Sequence, residues 1–327
     1  MLSRKTQVLV KTEGTPGTFE VPAVTDGILA YDVVATPEFK MFKRDPQGAL
    51  LSRYKSLSGV QTATITFKVE LLGTGSDETP PTAIQTLLSG CNMATTVSRV
   101  QPKTTDVSTI SIQVEEDGIL KKFKGCSGNM RITGNVGEPV FLEFSFKGTI
   151  EDILAGALSE LTGLPTTTPP VLLSASFSTY VGSSESHLIN SIEFDLQNEV
   201  GFSYSVSSAT GIKRTYITGR NPVGSIDPEY NTTYDWLDNI ISNTQGALSL
   251  IIGSTTNNRI RITVPKIRFM AMDPGDREGV RILTVPFEMN KDQENDELVI
   301  DWAWISLKTG TRRDIIGVRE SITVAIP

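Results

Sequence analysis

Apolar and polar residues alternate with a period of two along much of this chain. Between Thr62 and Leu72, the side chains of Ala63, Ile65, Phe67, Val69 and Leu71 share one face, the pattern of a half-buried strand. Val140, Leu142, Phe144 and Phe146 alternate with Phe141, Glu143 and Ser145 in the same way. Shorter runs predict strands at Gln7–Lys11, Gly27–Ala35, Ser108–Glu115, Leu120–Lys124, Met130–Gly134 and Pro139–Ile150, with Asp117-Gly118 as a hairpin turn. A helical period replaces the alternation once in this stretch. Ile84, Leu87, Leu88 and Cys91 stand at i, i+3, i+4 and i+7, so one helical face packs onto a sheet. Thr79 is the expected N-cap, Pro80 the first helical position and Gly90 the end.

The same order of elements recurs. One run extends from Val8 to Ile150 and a diverged second from Val171 to Trp302. Ala30 to Val34 leading to Phe39 is matched by Ile189 to Leu196 leading to Val200. Ser52 to Gly59 resembles Ile212 to Gly219. The helical triplet Ile84, Leu87, Leu88 is matched by Leu237, Ile240, Ile241, and Val140, Leu142, Phe144, Phe146 by Arg281, Leu283, Val285, Phe287. Four matches in one order predict a tandem duplication. In the second copy, Gly224–Tyr230, Gly246–Gly253, Arg259–Met272 and Gly279–Met289 are expected strands, and Thr233–Asn243 the helix. The expected division is a first domain over 1–160, a Thr/Pro linker over 161–170 ending in Pro169-Pro170, a second domain over 171–302, and an extension over 303–327.

A chain of 327 residues with 39% hydrophobic and 20% charged positions has enough apolar side chain for two cores. The net charge of -7 argues against tight, sequence-specific DNA binding, which needs a basic face. It is compatible with a wall past which DNA slides. No apolar run approaches the ~20 residues of a membrane-spanning helix. The N-terminal Met1-Leu2-Ser3-Arg4-Lys5 leads into no apolar segment of secretory type, so synthesis in a reducing cytoplasm is the expectation. Cys91 and Cys126 are read there as small buried apolar residues rather than a disulfide. The sequon Asn231-Thr232-Thr233 then carries no weight.

Candidate chemistry is sparse. His187 is the single histidine and is expected at the surface; no triad or zinc site can be assembled around it from spacing. Gly73-Thr74-Gly75 lacks the later glycine and lysine of a phosphate loop, and Gly125-Cys126-Ser127-Gly128 lacks the spacing of a nucleophile elbow. Glu115 and Glu116, or Asp296 and Glu297, are adjacent and would point to opposite strand faces; they are read as solvated carboxylates. The acidic run from Glu288 to Asp301 lacks the glycine and ligand spacing of a calcium loop. No catalytic residue, metal or cofactor is expected. Two long polar excursions stand out instead. Thr36–Ser58 carries Lys40, Lys43, Arg44, Arg53 and Lys55; its counterpart carries Lys213, Arg214 and Arg220. Loops of this size inside compact domains usually make contacts.

Four segments make the chain similar to the major tail tube proteins of long-tailed bacteriophages. They are Val10 to Gly17, Phe67 to Gly73 ahead of a helix, Gly219 to Ser225, and Gly246 to Gly253. The resemblance implies a mainly β fold: two tandem β-sandwich or barrel-like tail-tube domains, each with one flanking α-helix and a long loop or hairpin arm. It implies a structural virion protein whose domains form rings of sixfold appearance, here from three chains, stacked into a conduit for DNA ejection. Thr36–Ser58 and Gln197–Thr218 would be inter-ring arms, with the eight basic residues above as contacts. Glu288, Asp292, Glu294, Asp296 and Glu297 would offer the acidic partner surface. The implied partners are other copies of the chain, the tape measure, tail terminator and distal tail proteins, and DNA passing without sequence-specific contact or membrane insertion. Assembly would occur in the host cytoplasm, with the product in the virion tail. The competing expectation is a tandem carbohydrate-binding or adhesin module, which would display exposed aromatics at equivalent places. Trp236, Trp302 and Trp304 do not recur between the copies. A β-rich hydrolase is the enzymatic competitor.

Overall fold

The computed structural model describes residues 2, 4–47, 52–75, 79–105, 108–173, 175–182, 187–253 and 258–302. The expected extension over 303–327, including Trp304, lies outside the described residues. The first half contains β1 (Thr6–Thr12), β2 (Gly27–Ile28), β3 (Ala30–Phe42), β4 (Leu57–Glu70), α1 (Thr82–Gly90), β5 (Met93–Thr96), β6 (Arg99–Pro102), β7 (Ile110–Glu116), β8 (Ile119–Asn135) and β9 (Phe141–Ala155). The second contains β10 (Ser176–Thr179), β11 (Ser191–Asp195), β12 (Asn198–Tyr204), β13 (Ile212–Arg220), β14 (Val223–Ile226), α2 (Trp236–Ile241), β15 (Gly246–Ile252), β16 (Ile260–Phe269), β17 (Asp273–Arg277), β18 (Val280–Asn290) and β19 (Val299–Asp301). The fold is mainly β, as the alternation predicts, and of sandwich type, as the resemblance implies. Residues 156–170 carry no helix or strand.

The period of two produces the core directly. Ala63, Ile65, Phe67 and Val69 of β4 face inward, as do Leu142, Phe144 and Phe146 of β9. Phe144 and Phe146 stack at 5.7 Å, and Phe67 closes on both. α1 lays Ile84, Leu87 and Leu88 onto this core. Its start differs from the expected Thr79. The first helical hydrogen bond runs from the Gln85 N–H to the Pro81 carbonyl, and Pro81 is extended at φ -54, ψ 141. The cause is the Pro80-Pro81 pair, because a residue ahead of proline is pushed out of the helical region. α2 is also shorter than expected; it starts after Asp235, whose carboxylate accepts the Asp238 N–H at 2.9 Å.

Hydrogen-bond ladders give the first half the order β2-β1-β7-β8-β9-β4-β3 and the second half β10-β15-β16-β18-β14-β11, all antiparallel. Dropping the two-residue β2, each strand of the first order has a counterpart in the second at the same place. Each helix follows the equivalent strand, α1 after β4 and α2 after β14. A row across four strands sets the correspondence: Ala35–Ile65–Phe146–Gly128 in one half, Phe194–Gly224–Phe287–Phe269 in the other. All eight positions are buried. The glycine lies on opposite sides of the shared phenylalanine in the two halves, so volume is redistributed within each row.

The expected strand at Gly224–Tyr230 ends at Ile226, shortly before Pro228, and Glu229 makes only an isolated bridge to Ile282. The strand expected over Arg259–Met272 stops at Phe269, and β17 follows as a separate strand folded onto β18. Glu278 and Gly279 both have positive φ, 52° and 87°, the signature of a two-residue hairpin turn.

The halves are joined by more than chain continuity. β11 pairs with the distal end of β8, from Ser191↔Asn135 to Asp195↔Arg131. β19 pairs with both β16 and β6. The Trp302 indole donates to the Leu72 carbonyl at 3.0 Å, and the Gly73 N–H donates to Asn258 Oδ1 at 3.0 Å. One apolar cluster includes residues of both halves.

Candidate assembly surfaces

Both polar excursions are β-hairpins, but they are placed differently. The first continues the body: β3 and β4 stay paired out to Phe42↔Leu57. Lys40, Lys43, Arg44, Arg53 and Lys55 are all exposed along it. The Arg44 guanidinium lies 5.6 Å from the Tyr54 ring centre. Phe39, Met41, Phe42 and Leu57 are each at least half exposed. This arm therefore combines positive charge with uncovered apolar side chains, a composition suited to contact.

The second hairpin, β12–β13, leaves its sheet at Gln197 (φ 47°) and Asn221-Pro222 and lies back over the first half. Its resting place is built around Glu13, which lies within the Val10 to Gly17 segment of the resemblance. The carboxylate is buried and accepts four hydrogen bonds: from Thr109 Oγ1 (2.5 Å), Ser111 Oγ (3.0 Å) and the N–H groups of Gly17 (2.6 Å) and Gly125 (2.7 Å). These fix the Gly14–Gly17 turn against the bulge in β8. Gly17 has φ 85°, and a Cβ there would stand 1.9 Å from the Lys213 carbonyl oxygen. Only glycine admits both that backbone and so close an approach. Beside it, the fully buried Thr215 hydroxyl donates to the Gly125 carbonyl and contacts Ser127 Oγ at 2.8 Å. Thr210 meets Gln61 and Thr149, and the Asn198 amide donates to the Cys91 and Gly128 carbonyls. Thr215→Val keeps the shape but removes the hydroxyl, and should cost about 1–3 kcal/mol. Urea unfolding would measure the loss, and faster proteolytic cleavage at Ser205–Gly211 would locate it.

Lys213 and Arg214 are exposed on this docked hairpin, whereas Arg220 is not a free contact. Its guanidinium donates to the Lys103 carbonyl (3.2 Å) and Asn295 Oδ1 (2.7 Å) and pairs with Glu297 at 3.4 Å. Arg220 and Glu297, assigned from sequence to opposite sides of a contact between rings, thus meet within one chain. Glu288 pairs with Arg268 (2.8 Å) and Asp292 with Lys266 (2.6 Å). Asp296 accepts the N–H groups of Asp292 and Gln293 in a turn, and Glu294 is exposed. Four of the five acidic residues are therefore engaged locally.

Other expectations change with the geometry. Glu115 is not a solvated carboxylate: it is fully buried, and accepts from Gln7, Gln113 and both the N–H and hydroxyl of Ser159. Burial pushes its pKa up, but those hydrogen bonds outweigh it and hold the carboxyl below its ordinary value. It anchors the chain just ahead of the linker. His187 packs between Tyr234 and Trp236, with ring centres at 4.9 and 4.8 Å, rather than lying free at the surface. Cys91 and Cys126 are buried and unpaired, with thiol pKa values pushed well up by burial. Trp236 and Trp302 are each 2% exposed, so neither is a glycan platform. Among the described residues no group of three or more His, Cys, Asp or Glu is placed to hold a metal ion, and no helix is long and apolar enough to cross a membrane.

The sheet face opposite the core carries a row of alternating charge across five strands. Asp32 lies 3.8 Å from Lys68, Lys68 is 3.2 Å from Glu143, Glu143 is 3.9 Å from Arg131, and Arg131 is 2.5 Å from Glu193. Partly exposed pairs of this kind contribute only about 0–1 kcal/mol each. They fix the character of the face: polar, wet and close to neutral.

A mainly β body of sandwich type with one continuing and one docked hairpin defines the class of protein. The chain belongs to the phage tail tube protein family, whose model matches residues 3–289. It is a structural protein of the bacteriophage tail, from a family of structural proteins rather than enzymes. A search of curated proteins found no match.

Proposed function

We propose that the chain arose by tandem duplication and that three copies close into a ring of six like-ordered halves. Rings stack into a tube assembled in the host cytoplasm, through which DNA leaves the particle. The observation that supports this most is the common strand order of the two halves. Like-ordered sheets present related edges, and a closed ring covers edges that a single chain leaves open. The alternating charge row suits the channel wall, because a near-neutral polar face offers DNA no run of cations to hold it. The tape measure, terminator and distal tail proteins are the expected neighbours. Electron microscopy of concentrated protein, or of the particle, tests this reading. Rings built from three chains are expected, and a strictly monomeric protein would refute it.

The first hairpin is the arm that reaches the next ring. Lys43→Glu with Arg44→Glu should reduce tube length at least about tenfold while leaving rings and thermal unfolding unchanged. Tubes of normal length from that variant would remove the hairpin from ring stacking.

A further inference from the structure

Each half leaves one sheet edge open. Among the described residues β3 pairs only with β4, and β17 only with β18. Neighbouring bonds fix which residues face those edges. The Gln61 N–H donates to the Thr210 carbonyl and the Leu71 N–H to the Val140 carbonyl, both away from β3. Successive strand residues bond to opposite sides, so Thr62, Thr64 and Thr66 are the β4 residues that bond to β3. Their partners Glu38, Thr36 and Val34 face β4. Ala35, Pro37 and Phe39 therefore turn their backbones outward. In the second half, the Leu283 N–H donates to the Pro228 carbonyl and the Arg281 carbonyl accepts from Tyr230, both away from β17. Their partners Pro274 and Asp276 face the open edge.

A proline thus stands at an outward position on each open edge, and proline has no N–H to give. The other strand prolines fall at breaks. Pro102 ends β6, Pro265 lies in the bulge of the β15–β16 ladder, and Pro286 lies where β18 passes from β16 to β17. The joint made inside the chain, between β11 and the end of β8, contains no proline. It is bonded out to Leu196 N–H on the Met130 carbonyl (3.2 Å) and Val136 N–H on the Asn190 carbonyl (2.8 Å). That joint shows that the two sheets can meet edge to edge. A long edge with exposed apolar side chains pairs readily with another chain, and β3 carries Val34 and Phe39, each more than half exposed. An outward proline weakens such pairing.

In the proposed ring, on which this inference rests, head-to-tail contact joins two different surfaces of the chain. We propose that the β3 edge of one copy meets the β17 edge of the next, and that Pro37 and Pro274 are a brake on this joint. Each removes a ladder donor, which raises the concentration at which copies associate and keeps newly made chains single.

Pro37→Thr and Pro274→Thr, singly and together, restore the missing donors. Assembly of the full chain would be followed by sedimentation and electron microscopy across a concentration series. The concentration giving half-assembly should fall at least about threefold for each single variant and at least about tenfold for the double, with rings of unmodified size. Amide exchange adds a readout that strand propensity alone would not move. The N–H introduced at position 37 should exchange freely in the single chain and be protected in rings. Rings from the unmodified protein, with the double variant assembling at the same concentration or that N–H unprotected, would overturn the brake and leave the ring standing. Irregular aggregates of the double variant in place of rings would also overturn it, because the edges would then lie outside the joint. Rings from neither protein would overturn both readings.

Discussion

Glu13→Ala should lower the unfolding free energy by about 3–5 kcal/mol. The carboxylate is the common acceptor for two hydroxyls and two backbone N–H groups, drawn from three parts of the chain. The hydroxyls can turn toward other partners, but the N–H groups of Gly17 and Gly125 are fixed by the backbone. Left unpaired in a buried site, each would cost about 1–3 kcal/mol. Glu13→Gln should be nearly as damaging, because its amide presents donors to donors. The docked β12–β13 hairpin rests on this turn, so its protease resistance should fall with global stability. Urea titration followed by circular dichroism and limited proteolysis would measure both effects. A loss below about 1 kcal/mol would mean that water replaces the carboxylate without strain.

Trp302→Ala is expected to cost a similar amount, about 3–5 kcal/mol, through lost packing and an orphaned carbonyl at Leu72. Trp302 ends the described second half, but its ring is buried against the first. Its backbone N–H also donates to the Ser98 carbonyl at 2.9 Å. The damage should be directional. β19 should detach from β6, so amide exchange should accelerate at Val100 and Ile300 before it does at the β8–β11 pairing. Uniform acceleration across both places would show that the two joints open as one unit.

The strands were legible in the sequence because they rest on local periodicity. Val69, Phe67 and Ile65 face inward wherever β4 is placed, and Leu87 and Leu88 need only one face of one helix. What it concealed was long-range. Glu13 belongs to a recognisable motif, yet its role appears only when residues about a hundred positions away close around it. Arg220 and Glu297 each have the composition of a surface contact, but folding brings them together. The two excursions look alike as strings of polar and basic residues. What separates them is the break at Gln197 and Asn221-Pro222, which turns one hairpin back while the other continues the β3–β4 ladder. Glu115 and Glu116 resemble a solvated pair as neighbouring acids, but β7 is buried on both faces up to Glu115, where the chain around Ser159 folds over it, and Glu116 is half-buried.

The pairing of β19 with β6 has a consequence for synthesis. Ile300 faces Val100 across that ladder, a separation of 200 residues. At about 5–20 residues per second, the edge of β6 waits roughly 10–40 s on the ribosome before its partner exists. The β8 end waits a shorter time for β11. During that interval a nascent first half displays two unpaired strand edges in a cell making many identical chains. Polysomes translating this message are therefore where premature pairing between copies has its best opportunity, and slowing translation after β9 would widen it.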